Sequence, residues 1–239
     1  AIEASYLNSL LMARDLSELG ITVNCAPVLD VPQQDAHDII GDRALGESPR
    51  AVSKLGHAVC SGLLAGGVLP VIKHLPGHGR AHADSHIELP IVDESREELE
   101  ASDFVPFKEL SDMPWAMTAH VLYSALDNSN PATTSSKIIQ NIIRQNFRFE
   151  GVLVSDDIGM SALCGDFSER VTASLKAGCD IALHCSGDLQ EMIAVASGAI
   201  GLSDISMARL QRGEDLRRQT AQDEIVKEAA LERLEKILA

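Results

Sequence analysis

Basic residues are scarce in this chain of 239 residues: 20 lysines and arginines stand against 35 acids, a formal charge of −15. Such a balance repels phosphate backbones and anionic membrane surfaces and leaves no basic stripe for either, so nucleic acid is not an expected partner. Long apolar runs are missing too. No stretch approaches the ~20 apolar residues that span a bilayer, and a soluble, cytoplasmic protein without membrane contact is expected. The cysteines Cys25, Cys60, Cys164, Cys179 and Cys185 show no Cys-x-x-Cys spacing and are odd in number. Buried free thiols in a reducing compartment explain them, rather than a disulfide framework. Tryptophan occurs once, as Trp115; at the head of an apolar run it reads as packing, not as a sugar-stacking platform. Met12, Met113, Met117, Met160, Met192 and Met207 form no stripe and read as core filling.

With 45% hydrophobic residues the chain can bury one large core, which suits a single α/β domain over 1–239. Apolar, β-prone runs at Ile21–Leu29, Val68–Ile72, Trp115–Ala119, Gly151–Ser155 and Asp180–His184 alternate with helical patterns. Those patterns cover Ile2–Leu19, Pro49–Ala65, Arg96–Leu110, Ser136–Asn146, Glu169–Ala177 and Leu189–Ser197. The alternation predicts parallel βα units. Unbroken hydrophobicity, as in Gly151-Val152-Leu153-Val154, predicts strands covered on both faces. An open doubly wound sheet and a (β/α)8 TIM barrel both fit this much. Polar residues close every run: Asp30, then Lys73 and His74, then His120, Asp156 and His184. Barrels build their sites from the ends of several strands, whereas an open sheet concentrates them at one switch point. The barrel is therefore expected, apparently lacking its first three βα units, since five strands are countable and the chain opens in a helix. Helices over about 203–239, with an apolar face of Ile225, Ala229, Leu231, Leu234, Ile237 and Leu238, are expected on its exterior.

The chemistry concentrates in Lys73-His74-Leu75-Pro76-Gly77-His78-Gly79, in Asp84-Ser85-His86 and in Ser155-Asp156-Asp157. Histidines and acids among glycines and prolines predict a mobile polar loop, extending from about Pro76 to Ile87, rather than a packed element. His74, His78, His82 and His86 recur every fourth residue, a metal-ligand spacing on a helix, but Pro76, Gly77 and Gly79 oppose a helix there. No metal or organic cofactor is expected. Read alone, Asp156 could cap the next helix, His86 could be an exposed loop residue, and Lys73 and Arg43 could be solvated charges. His120 and His184 suit polar lining and catalytic support equally.

Together these motifs, with Met117-Thr118-Ala119-His120-Val121, Phe149-Glu150-Gly151-Val152-Leu153-Val154 and Ala177-Gly178-Cys179-Asp180, resemble glycoside hydrolase family 3. The likeness is to its bacterial cytoplasmic β-N-acetylglucosaminidases of peptidoglycan recycling. The resemblance implies Asp156 as nucleophile, His86 as general acid/base tuned by Asp84, and Arg43, Lys73 and His74 as groups that bind the sugar. It implies a small-molecule partner, a GlcNAc-containing muropeptide (GlcNAc-1,6-anhydroMurNAc, with or without peptide), and a monomer. Retaining hydrolysis does ask for a carboxylate about 5 Å from a proton donor, and histidine, with an unperturbed pKa of ~6.5, can serve as that donor. The family's Asp and Glu-Gly-Gly-x-Val-x-Arg-like segment, which grips the sugar, has no counterpart here, and Leu75 stands where Phe is usual. Asp157 after the nucleophile points to a 2-acetamido sugar, where β-glucosidases of the family carry Trp. Substrate-assisted cleavage, phosphorolysis and a non-catalytic sugar-binding module are the rival expectations.

Overall fold

The computed structural model describes residues 1–33, 37–221 and 227–239. Helix α1 (Ile2–Glu18) leads to strand β1 (Val23–Asn24). Helix α2 (Pro49–Ala65) begins where Ser48 Oγ accepts the Ala51 N–H and Pro49 takes a position that needs no donor. Strands β2 (Leu69–Leu75) and β3 (Ile91–Val92) follow, then the short helices α3 (Arg96–Ala101) and α4 (Val105–Glu109). Next come β4 (Trp115–Thr118), β5 (Leu122–Tyr123), a π-helix (Ile138–Asn146) and β6 (Val152–Asp157). Helix α5 (Phe167–Ala177), β7 (Ile181–Leu183) and helices α6 (Leu189–Gly198), α7 (Asp204–Thr220) and α8 (Lys227–Leu238) complete the chain.

Five strands form one parallel sheet in the order β1-β2-β4-β6-β7. Each lies beside the next member of this sheet in chain order, with registers Val71↔Trp115, Trp115↔Val152 and Val154↔Ile181, while the short β3 and β5 pair with each other apart from it. The order never reverses, so the sheet has no switch point of the doubly wound kind. Along each strand, neighbours face opposite sides. Ile72, Ala116 and Leu153 meet Val52, Cys60, Phe104, Phe107, Ile139 and Ile143 from the helical layer. Val71, Met117 and Val154 gather on the other face with Val23, Trp115, Ile181 and Leu183. Occupancy of both faces is why these runs read as continuous rather than alternating. No helix among the described residues is long and apolar enough to cross a membrane.

Several elements differ from expectation for identifiable reasons. Only Val23–Asn24 of the first apolar run is ladder-paired, because Pro27 carries no N–H; pairing returns as a single bridge, Val28↔Lys73. The helix expected over Arg96–Leu110 is two helices, since Pro106 cannot accept a place in the interior of a continuous one. The 136–146 helix takes π geometry, with Ile138, Ile139, Ile142 and Ile143 all buried. Cys60 and Cys179 are buried, but Cys25, Cys164 and Cys185 are exposed, against the expectation of buried thiols. Cys25 and Cys185 follow the two edge strands and Cys164 sits in the loop before α5, so none is enclosed by neighbouring layers. Met12, Met192 and Met207 likewise lie exposed on outer helices rather than in the core. Helix α8 packs Ala230 and Leu234 against Leu7 and Leu10 of α1, and Arg233 clasps Glu3 at 2.7 and 3.0 Å. Ile225 of the expected apolar face lies outside the described residues.

Candidate active site

The ends of the sheet strands deliver the polar groups. Lys73 and His74 belong to β2 itself, and Asp156 and Asp157 close β6. Asp30, beyond β1, is completely buried. Its Oδ2 lies 2.7 Å from His74 Nδ1, and its Oδ1 accepts the backbone N–H groups of His74 at 3.2 Å and His78 at 2.6 Å. Burial opposes the Asp30 charge, but His74 and the His78 N–H outweigh it and hold the carboxyl below its ordinary range. The other ring nitrogen of His74, Nε2, faces Asp156 Oδ2 at 3.9 Å. Asp156 Oδ1 accepts the Asp157 N–H at 2.8 Å. Burial raises the Asp156 carboxyl, yet His74, His120, that N–H and Lys73 together bring it below the usual carboxylate value. An ionised carboxylate near neutral pH is the form a nucleophile requires.

The tip of the loop after β2 carries His86, whose side chain is 63% exposed. Asp84 Oδ1 sits 2.8 Å from His86 Nδ1 and accepts the His86 backbone N–H at 2.8 Å. Those two contacts, the backbone one first, lower the Asp84 carboxyl. The dyad therefore holds the imidazole by its Nδ1 side. His86 and Asp156 line the same cavity of about 260 Å³, together with Arg43, Lys73, His74, His78, Ser85 and Asp157. Burial lowers the Lys73 ammonium from its ordinary value. Arg43 stands on a 3-10 turn, its Nη1 donating to the Ile39 carbonyl at 3.2 Å. A larger cavity, about 320 Å³, lies beyond the other ends of the strands. There Asp180 pairs with Arg144 at 2.9 Å and Arg209 at 2.8 Å, leaving charges spent on one another. Among the described residues no group of three or more His, Cys, Asp or Glu side chains is arranged to hold a metal ion.

His120 supports β6 from behind. It is completely buried, its Nε2 donates to the Asp157 carbonyl at 2.9 Å, and its Nδ1 lies 2.7 Å from Thr133 Oγ1. A carbonyl only accepts, so Nε2 carries the hydrogen; burial lowers this imidazole, and Thr133 Oγ1 itself donates to the Ala119 carbonyl at 3.0 Å. Asp157 Oδ1 accepts the N–H groups of Gly159 at 2.9 Å and Cys185 at 3.1 Å, joining the ends of β6 and β7.

Residues 3–217 match the family profile described as the glycosyl hydrolase family 3 N terminal domain. The chain belongs to glycosyl hydrolase family 3. A beta-hexosaminidase of Idiomarina loihiensis is 41% identical over 179 residues, 74% of this chain and 53% of that protein. Among solved structures, a family 3 beta-N-acetylglucosaminidase from Paenibacillus sp. str. FPU-7 superposes with TM-score 0.85 at 30% identity, over 98% of this chain and 49% of that one. NagZ from Neisseria gonorrhoeae, in complex with N-trifluoroacetyl-D-glucosamine, does so with TM-score 0.84 at 31% identity, over 100% of this chain and 70% of that one. The chain thus spans little more than half the length of the curated family 3 relative.

Of the residues singled out from the sequence, Arg43, Lys73, His74, His86 and Asp156 meet at one cavity, and Asp84 touches it through His86. The segment Pro76–Gly79, expected on a mobile polar loop, is buried instead. A Cβ on Gly79 would come within 2.0 Å of the Val31 carbonyl, so the chain passes too close for any side chain. Only from Arg80 onward does the loop reach the surface. Sequence reasoning named Asp30, His78 and Ser85 without giving them a role, and left His120 equally between polar lining and catalytic support. Asp30 was visible as an acid closing an apolar run, but its partners lie 44 and 48 residues away.

Proposed function

We propose that this chain carries the catalytic centre of a retaining exo-β-N-acetylglucosaminidase. The observation that carries the reading is one cavity holding an ionised carboxylate, Asp156, and a carboxylate-anchored imidazole, His86. Asp156 attacks the anomeric carbon while His86 gives its proton to the glycosidic oxygen, so the aglycone departs and a glycosyl ester forms. His86 then takes a proton from water, which displaces Asp156 and restores the β configuration. Lys73, Arg43 and His74 bind the sugar hydroxyls, and Asp84 holds His86 in orientation. A cavity of about 260 Å³ suits one terminal sugar rather than a threaded chain. The names of the hexosaminidase relative and of the two solved structures support GlcNAc as that sugar. The same family likeness supports peptidoglycan fragments of the GlcNAc-1,6-anhydroMurNAc type as substrate and a cytoplasmic location, and a monomer is proposed with them.

The sequential strand order supports the fold that goes with this activity: five consecutive units of a (β/α)8 barrel, within a single domain that α7 and α8 flank from outside. Substrate assistance, in which an acid orients the acetamido group, is less well supported. Asp157, the candidate acid, already accepts two backbone N–H groups through Oδ1. The test is the hydrolysis of a 4-nitrophenyl β-N-acetylglucosaminide, with mass analysis of the protein after reaction with a slow 5-fluoro substrate. An adduct on the peptide bearing Asp156 is expected. Turnover without any adduct would move the reading to substrate assistance, and sugar binding without turnover would move it to a binding module.

A further inference from the structure

The loop after β2 returns to the interior between the two members of the dyad. Between Asp84 and His86, Ser85 turns inward and is 3% exposed. Its carbonyl accepts the Ala162 N–H at 3.2 Å, and its Oγ lies 3.3 Å from His78 Nε2. His78 is buried, and its Nδ1 has no partner. That orphan fixes the tautomer, because an unpaired buried N–H is rarer and more costly than an unpaired acceptor. Nε2 therefore carries the hydrogen and donates to Ser85. Burial also lowers this imidazole to about 4, which keeps the ring neutral.

The same residue is held from its other end. The His78 backbone N–H donates to Asp30 Oδ1 at 2.6 Å, while Asp30 Oδ2 meets His74 Nδ1 at 2.7 Å. The His74 ring then faces Asp156. A single buried carboxylate thus anchors two histidines, whose rings stand edge to face at 5.7 Å. One faces the nucleophile; the other grips the residue between the two members of the dyad.

We propose that His78 is a positioning residue for the proton donor: through Ser85 it clamps the loop to the Asp30 carboxylate that also orients His74, and so sets where His86 meets the leaving oxygen. The inference rests on the assignment of His86 as general acid/base. A clamp that served stability alone would affect all substrates equally. One that places the donor matters only where the leaving group needs a proton.

The experiment compares kcat/KM for two β-N-acetylglucosaminides, a 2,4-dinitrophenyl glycoside that departs unaided and a methyl glycoside that does not. Ser85→Ala and His78→Leu are expected to lose about 10- to 100-fold on the methyl glycoside and less than about threefold on the dinitrophenyl one. His78→Gln, which keeps an N–H donor at similar reach, is expected to recover most of the loss. His86→Ala is run beside them. If it shows no selective loss on the methyl glycoside, the donor assignment fails and the clamp with it. If it does, while Ser85→Ala loses equally on both substrates or not at all, the clamp alone is overturned.

Discussion

Removing the Asp156 carboxylate is the most direct perturbation of the site. The Asn variant keeps the shape and can still accept the Asp157 N–H through its amide oxygen, a contact now 2.8 Å long. What goes is the charge that faces His74, Lys73 and His120. Loss of a nucleophile acting in concert with a base costs several orders of magnitude in other hydrolases, and about 10⁴-fold in kcat is expected, roughly 5.5 kcal/mol at 1.4 kcal/mol per decade. The assay is release of 4-nitrophenol from the β-N-acetylglucosaminide, repeated with Asp156→Gly in the presence of azide. In the Gly variant azide enters the vacated space and attacks from the same side, giving the α-glycosyl azide. The pH profile adds a second check. The active form is the carboxylate, and its pKa is depressed below the ordinary 3.8, so Asp156 contributes no loss of rate until the pH falls beneath that value. Retention of more than a tenth of the activity by Asp156→Gly without azide would refute the assignment, as would a β-configured azide product.

Other consequences concern the scaffold behind the site. Asp180 accepts from Arg144, Arg209, Ser206 and the Leu153 N–H, so Asp180→Asn strands buried guanidinium charge and is expected to cost about 3–5 kcal/mol in urea unfolding. Burial opposes the charge of Asp180, but these contacts depress its folded pKa; the stability it contributes is present above 3.8 and lost as the pH falls through the lower folded value, so the variant should lose the acid-induced part of unfolding. Gly79→Ala forces a Cβ against the Val31 carbonyl and is expected to lower stability by about 3 kcal/mol or more, read as a drop in Tm. His120→Leu leaves the Asp157 carbonyl with the Met160 N–H as its remaining donor; about 1 kcal/mol of stability and a tenfold fall in kcat with KM nearly unchanged are expected, and a change in KM alone would contradict the support given to β6.

What could be read from the sequence was local in origin. A run such as Gly151–Ser155 reports its own burial, and the alternation of runs with helices reports parallel units, because both patterns are properties of single elements. The polar ends of those runs then fall on one side of the sheet by topology, which is why Lys73, His74 and Asp156 could be grouped without coordinates. The misses share a physical cause. Asp30 holds His74 and His78 through bonds set by the register of β2 against the chain beyond β1, and register leaves no periodic trace. Pro76–Gly79 looked like mobile loop from composition, yet Gly79 serves close passage beneath Val31 and Gly77 a positive φ beside Asp103, not flexibility. Cys25 and Cys185 looked buried because their runs are apolar, but a strand at the edge of a sheet lacks a neighbour to cover it.

The spacing of His74, His78, His82 and His86 illustrates how one pattern takes its meaning from backbone geometry. On a helix, four-residue intervals would stack the rings along one face. Here β2 ends at Leu75, and the turn through Pro76 and Gly77 brings His78 back toward the carboxylate that holds His74. The chain then needs only the short span to Ser85 to return to the same core, placing Asp84 and His86 at the rim. His86 can therefore sit on an exposed loop without losing its register with Asp156, since both are referred to Asp30. Asp30 lies against His74 and His78, and Asp156 against His74, His120 and Lys73, and interactions at such short range outweigh the chain's net charge of −15, which salt screens beyond about 8 Å.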